Sequence, residues 1–180
     1  MKIRLAAELQ PDSIVDGLGI RTVIWTQGCP HNCPGCHNPS THSFEDGCFI
    51  ETKEIKEELK HLKNQTGITF SGGDPMCQPE ACSDIAKYAR TLGMNIWCYT
   101  GYTFEELLAM NNQKVLDFLK EIDVLIDGRF MIEQKSLNLK FKGSKNQRTI
   151  NVKKSLLEGK VVLEQDGDEI QFEPKEGIFV

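Results

Sequence analysis

Three cysteines, Cys29, Cys33 and Cys36, stand in the run Gly28-Cys-Pro-His-Asn-Cys-Pro-Gly-Cys-His-Asn38 with the spacing C-x3-C-x2-C. The next cysteine along the chain is Cys48, so no fourth thiol closes the group locally. Thiolate is a soft ligand that selects iron–sulfur clusters, zinc or Cu(I) over magnesium or calcium. A closed structural site normally takes four protein ligands, whereas three leave a coordination position open for chemistry. Pro30, Pro34, Gly28 and Gly35 tighten the loop where the sulfurs must converge. His31, His37 and His42 surround the thiols, and His42 extends the pattern to C-x3-C-x2-C-x5-H, a conceivable zinc site. His37 directly follows Cys36, which makes joint chelation of one metal sterically poor. From spacing alone the run reads as a cluster site, a zinc site or a set of core thiols.

Other residues of chemical interest are spread along the chain. Gly72 and Gly73 let backbone approach a ligand closely, and Asp74 beside them offers a carboxylate to a ligand ammonium; Gly-Gly-Asp-Pro is also a common turn. It lacks the lysine of a P-loop and the dinucleotide fingerprint. Thr100 and Gly101 suit a pocket floor or a strand-end turn. Asp127 ends an apolar strand, a costly place for a carboxylate without a partner. It reads as a ligand or cation contact or as a cap, with Arg129 as a possible partner for it or for a ligand carboxylate. Lys140, Lys142, Lys145 and Arg148 form a basic group around Gly143-Ser144, either a solvated face or, through Asn146-Gln147-Arg148, a binding element. Cys82 and Cys98 fall on apolar faces and read as inert core thiols, while Cys48 and Cys77 are undecided.

The elements that must position these residues alternate in type. Ile20 to Thr26, Gly67 to Phe70, Met94 to Tyr99 and Val124 to Ile126 are short, β-branched or apolar runs that predict buried strands. Between them, Ile55, Leu59 and Leu62 recur at helical spacing. Pro79 opens a helix with Cys82, Ile85, Ala86 and Ala89 inward and Gly93 as its stop. Thr103 and Glu106 make a capping-box pattern, and Val115, Leu116, Leu119 and Ile122 form one further amphipathic stretch. This rhythm predicts an α/β fold with a parallel sheet. Lys160 to Leu163 and Glu169 to Phe172 alternate around Asp166-Gly167 and predict a C-terminal β-hairpin. The cysteines follow the first core strand, Gly72-Gly73-Asp74 the second, Thr100-Gly101 the third and Asp127-Gly128 the fourth. Ligands of parallel α/β structures bind at the C-terminal ends of strands, so four motifs converge on one edge.

The chain of 180 residues predicts a single domain over 1–180, with 155–180 as a tail carrying the hairpin. Hydrophobic residues at 39% and charged residues at 26% are ordinary for a globular core. A net charge of -5 gives no basic footprint for nucleic acid. No apolar run approaches the roughly 18 residues of a membrane span, and acidic residues come too early for a signal peptide. Seven cysteines, an odd number without an export signal, predict reduced thiols and a cytoplasmic location.

C-x3-C-x2-C after a first strand, with Gly-Gly-acid-Pro after a second, resembles the radical S-adenosylmethionine superfamily. More narrowly, the cysteine run, Ser71-Gly-Gly-Asp-Pro75, Trp97-Cys-Tyr-Thr-Gly-Tyr102, Asp123-Val-Leu-Ile-Asp-Gly128 and Gly143-Ser-Lys-Asn-Gln-Arg148 resemble the activating proteins of anaerobic ribonucleoside-triphosphate reductases. The likeness runs from about Asp16 to Val152, and the tail beyond Ser155 is longer than the family leads one to expect. The resemblance implies a partial, open (β/α) barrel. It implies a [4Fe–4S] cluster held by Cys29, Cys33 and Cys36, with S-adenosylmethionine on the fourth iron. Reductive cleavage would give methionine and a 5′-deoxyadenosyl radical that takes hydrogen from a glycine of the large reductase subunit. By the same resemblance Gly72, Gly73 and Asp74 contact the methionyl end, Gly35, Cys36 and His37 line the other side, and Thr100 and Asp127 complete the cofactor site. Where many superfamily members have an aromatic residue just before the third cysteine, this chain has Gly35; His37, one position after that cysteine, is placed to stack on adenine. The implied partners are the reductase and an electron donor such as a flavodoxin or ferredoxin, with no nucleic acid and no membrane. A different glycyl-radical enzyme as the acceptor, or a non-enzymatic zinc module using His42, are the alternatives.

Overall fold

The computed structural model describes residues 1–164 of the chain. One eight-stranded sheet organises it. Four parallel strands form its centre: β3 (Arg21–Thr26), β5 (Gly67–Gly72), β6 (Asn95–Tyr99) and β7 (Val124–Asp127). Antiparallel strands extend it on both sides. β1 (Lys2–Leu5) and β2 (Gln10–Ser13) share the outer edge of β3, with Leu5 opposite Thr26 and Gln10 opposite Val23. β4 (Cys48–Glu51) pairs with β1, and β8 (Arg148–Asn151) pairs with β7. The order is β4-β1-β3-β5-β6-β7-β8, an open path with β4 and β8 at its ends. Mixed α/β architecture is thus as the sequence predicts, and the sheet does not close.

Side chains alternate across the sheet, and the two faces have different fates. Ile24, Ile68, Phe70, Ile96, Cys98 and Leu125 point into the main core. There they meet α1 (Thr52–His61), α2 (Pro79–Thr91) and α4 (Gln113–Glu121) through Ile55, Leu59, Ile85, Phe118 and Leu119. Cys82 and Cys98 are fully buried here, as their apolar neighbours predict. The other face carries a smaller cluster of Trp97, Val124 and Ile126, packed by Tyr99 and Phe141. Arg21 lies on this face, wholly buried, with its guanidinium 5.2 Å from the Trp97 ring and bonded to the Leu18 and Ile68 carbonyls.

The helices begin where the sequence signals them. Pro79 occupies the first turn of α2, and Gly93, at φ +81°, follows its end. The Thr103–Glu106 capping box is complete at the start of α3 (Phe104–Ala109). Four strands escape the sequence patterns: β1, β2, β4 and β8. Each has four residues, and β2 contains Pro11 and Asp12, which periodicity cannot assign to a strand. The short helix α5 (Val152–Glu158) occupies the start of the expected tail and stops at Gly159, φ +66°. The first arm of the expected hairpin does pair, but with β8: Asn151 N–H donates to Val162 O (2.9 Å), and Glu164 N–H to Thr149 O (2.8 Å). Its second arm, Glu169 to Phe172, lies outside the described residues. Among the described residues no helix is long and apolar enough to cross a membrane.

Candidate functional site

β3 delivers the chain to the cysteine loop, and the loop is closed at its base by backbone bonds. Gly28, at φ +101°, donates to Thr41 O (2.9 Å), and Cys29 N–H donates to His42 O (3.1 Å). Gln27 Nε2 donates to Ser40 O and Ser43 O across the same base. Within the loop Cys36 N–H donates to Cys33 O (3.1 Å), and Asn38 N–H donates to Cys36 Sγ (3.3 Å). Gly35 holds φ +73°, a conformation that residues with a side chain rarely adopt, and it lies against the tip of the Ile132 side chain.

Cys29, Cys33 and Cys36 line one cavity of about 430 Å³ at the C-terminal edge of the parallel strands. All seven cysteines are free thiols. Burial pushes the Cys29 thiol up to about 11, opposed by the backbone N–H of His31 and aided by the negative charge of Asp74. Cys77, half-buried nearby, is pushed up to about 12 by burial, whereas Cys48 is exposed on β4. Among the described residues no three of His, Cys, Asp and Glu are grouped closely enough to hold a single metal ion; what the three thiols share is one loop and one cavity, and their chemistry is that of ligands to a thiolate-bound cluster. His42 lines the same cavity, and its Nε2 is buried with no hydrogen-bond partner among the described residues. Such an orphan nitrogen fits a site whose occupant brings acceptors such as sulfide, or a metal.

Gly72 and Gly73 also line the cavity, but their closest constraint is backbone. A Cβ on Gly72 would meet Thr26 O at 2.6 Å, and one on Gly73 would overlap the Gly28 peptide. Gly73 N–H donates to Thr26 O (2.7 Å), and Asp74 N–H to Gly28 O (2.8 Å). The two glycines therefore let the exit of β5 lie directly on the exit of β3, next to the cysteines. Asp74 sits beneath this contact, completely buried and off the cavity wall. Its carboxylate accepts from Met76 N–H (2.9 Å), Thr100 Oγ1, Gly101 N–H (3.0 Å) and His31 Nε2 (2.6 Å). Thr100 and Gly101 reach the cavity at the end of β6.

Asp127 is placed differently. Its register partner across the sheet is Arg148, whose Nε and Nη2 lie 3.0 and 2.5 Å from the two carboxylate oxygens. Phe104 N–H, the first of α3, donates to Asp127 Oδ2 (2.8 Å). Arg148 also forks onto Glu105, and its hydrogen bonds to Asp127 and Glu105 raise its pKa above the ordinary guanidinium value. Arg148, not Arg129, is thus the counter-ion of Asp127, and Gly128, not Asp127, reaches the cavity.

The opposite wall comes from the segment after β7. His37 lines the cavity and packs against Phe130, ring centroids 4.8 Å apart. Gln147 draws this segment in: its Oε1 accepts from Gly143 and Ser144 N–H, and its Nε2 donates to Gly128 O. The sequence patterns did not single out Phe130, Phe141 or Val15 and Asp16 as cavity residues, although all four line it. Phe130 did carry a signal: it opens the apolar run Phe130-Met131-Ile132 just past a strand-end glycine. Phe141, held at φ +58°, carried none.

Comparison with known proteins agrees with this geometry. The family model described as a 4Fe-4S single cluster domain matches residues 15–150. The anaerobic ribonucleoside-triphosphate reductase-activating protein of Escherichia coli K12 is 38% identical over 147 residues, 76% of this chain and 92% of that protein. The proteins of the same name from Enterobacteria phage T4 and Haemophilus influenzae are 36% and 32% identical; the matches cover 78% and 76% of this chain, and 89% and 91% of theirs.

Proposed function

We propose, from the premise that this chain belongs to the family of anaerobic ribonucleoside-triphosphate reductase-activating proteins and carries its 4Fe-4S single cluster domain, that it activates such a reductase by radical S-adenosylmethionine chemistry. The observation that carries this reading is the shared cavity: three thiols of one loop, the Gly72-Gly73 backbone and Thr100 line a single space at the strand ends. Its volume lies within the range of small-molecule sites, about 300–1,000 Å³.

In this reading Cys29, Cys33 and Cys36 hold three irons of a [4Fe–4S] cluster, and no other cysteine ligates it. When bound, such a cluster would supply the one electron needed for reductive cleavage of a carbon–sulfur bond of S-adenosylmethionine to methionine and a 5′-deoxyadenosyl radical, which would take hydrogen from a glycine of the reductase. The protein's own work is orientation. Gly72 and Gly73 offer backbone groups to the methionyl end. Gly35 keeps the loop tight against Ile132, and His37, backed by Phe130, presents a ring to the adenine side. Asp74 supports the cofactor site from beneath, since hydrogen bonds from the protein already occupy its carboxylate, whereas Asp127 braces β7 against β8 and α3 outside the cavity.

We read the open sheet as the incomplete (β/α) barrel of this superfamily, with the reductase docking over its open edge. Val15, Phe44, Ile132 and Leu137 are exposed apolar residues of the loops at that edge, a composition suited to a protein partner. A flavodoxin or ferredoxin would supply the electron, in the cytoplasm.

The test is anaerobic. Reconstituted wild type with reductant should convert S-adenosylmethionine to methionine and 5′-deoxyadenosine, and should raise a glycyl doublet by electron paramagnetic resonance when a competent reductase is added. Cys33→Ala should do neither. Cleavage without a glycyl signal would leave the chemistry and remove the partner. The unpartnered Nε2 of His42 favours one second reading, a zinc module closed by that histidine; colourless protein containing zinc and no sulfide would establish it.

A further inference from the structure

A fully buried carboxylate in a cofactor site invites the reading that it grips the ligand directly. The geometry at Asp74 points elsewhere. An ionised carboxylate has about four acceptor positions. At Asp74 four donors meet them: Met76 N–H, Gly101 N–H, Thr100 Oγ1 and His31 Nε2. The side chain is only 1% exposed, which leaves no face for a ligand ammonium.

Of the four donors, His31 is the distinctive one, because it lies between Cys29 and Cys33. Its ring is 3% exposed and its Nε2 lies 2.6 Å from Asp74 Oδ2, the shortest of these bonds. With a carboxylate as acceptor, Nε2 is the nitrogen that carries the ring hydrogen. The ring stands edge-on to Tyr102, centroids 4.4 Å apart, and lies over Gly101, where any Cβ would overlap it. Three strand-end loops therefore meet at one carboxylate: the cysteine loop through His31, the exit of β5 through Asp74 itself, and the exit of β6 through Thr100 and Gly101.

We propose that His31 and Asp74 form a latch that fixes the arc from Cys29 to Cys33 against the glycine-rich strand ends, so that Asp74 serves ligand binding through His31 and not by contact. The proposal rests on the reading that the cavity holds the cluster and S-adenosylmethionine. Both are positioning residues.

The test is a double-mutant cycle of His31→Ala and Asp74→Ala, with His31→Gln as the conservative variant. Two quantities are read on cluster-loaded protein: the rate at which a ferrous chelator removes iron, and the affinity for S-adenosylmethionine. A third is read on metal-free protein, the amide hydrogen exchange of residues 29–36. A hydrogen bond to a charged group is worth about 1.5–3 kcal/mol, so His31→Ala should speed iron loss and weaken affinity by about tenfold or more. In the Asp74→Ala background it should change neither, because the partner is already gone. His31→Gln, which returns an amide donor, should recover most of the loss. Both alanine variants should raise exchange in the loop. The latch is overturned if His31→Ala costs the same factor in both backgrounds, or if Asp74→Ala weakens affinity while His31→Ala leaves it and the loop exchange unchanged. If wild type takes up no iron, the cluster reading fails; the exchange measurement on metal-free protein still decides the latch.

Discussion

Two aspartates lie at the C-terminal edge of the parallel strands, Asp127 as the last residue of β7 and Asp74 two residues past the end of β5, and both are completely buried, yet their carboxylates are satisfied in opposite ways. Asp127 meets a guanidinium: Arg148 approaches it with two nitrogens, and α3 adds a backbone amide. Among the described residues Asp74 meets no cation from lysine or arginine; two amides, a hydroxyl and an imidazole surround it. The first arrangement joins β7 to its antiparallel neighbour β8 and to α3, outside the cavity. The second joins three loops directly under the cavity. The same residue type at the same edge of the sheet thus serves the scaffold in one case and the site in the other. The choice of partners decides which.

The contrast predicts a dissociation between stability and site function. Asp127→Ala removes one half of a buried ion pair and should cost about 3 kcal/mol, the low end for such pairs, because the Arg148 side chain is 32% exposed and keeps Glu105. Denaturant unfolding of metal-free protein under reducing conditions measures it, with an unchanged slope expected. The folded fraction of this variant should still bind a full complement of iron and sulfide. Loss of cluster in proportion to that seen for Asp74 variants would erase the distinction between the two aspartates.

Gly73→Ala tests the backbone contact on which the Asp74 side depends. A Cβ there overlaps the Gly28 carbonyl, so β3 and β5 exits must move apart. Overpacking of this kind costs about 1–3 kcal/mol, and we expect about 2. Here stability and cluster retention should fall together, measured by unfolding and by iron content. Asp74→Asn should be milder for the fold, about 1 kcal/mol, because it keeps shape and only one oxygen becomes a donor. It should nevertheless weaken cluster retention more than Asp127→Ala does. A variant as destabilised as Asp127→Ala, with normal cluster retention, would make Asp74 a scaffold residue like its counterpart.

The sequence made much of this edge legible. The convergence of four motifs at strand ends follows from alternating strand and helix patterns, and the cysteine loop, the helix starts and the two core thiols lie where those patterns place them. What stayed hidden was pairing over distance. Arg129 is two residues from Asp127 and drew the assignment, but it is exposed on the exit loop, while Arg148 stands opposite Asp127 through strand register. Gly72-Gly73 reads as freedom for a ligand to approach; the closer approach is that of Thr26 to Gly28, about 46 residues earlier, which no local pattern encodes. The antiparallel strands β1, β2 and β8 were missed because polar residues interrupt their apolar positions, unlike the equally short β7, which opens with Val124-Leu-Ile126.

The smallest effect is expected at the outer end of the Asp127 arrangement. Glu105, in the first turn of α3, takes Arg148 Nη1 and Nη2 at 3.0 and 2.6 Å, but its side chain is 59% exposed. The hydrogen bonds from Arg148 hold its carboxyl below the ordinary glutamate range. A carboxyl with a depressed folded-state pKa contributes stability above its unfolded value and loses that contribution as pH falls through the folded value. Glu105→Gln should therefore cost under about 1 kcal/mol at neutral pH, as exposed pairs do. Below the folded-state pKa of Glu105 the difference from wild type should vanish. Unfolding curves at neutral and acidic pH measure both ends. If Glu105→Gln cost as much as Asp127→Ala, Arg148 would be anchored from the solvent side, and the buried aspartate would be the secondary partner.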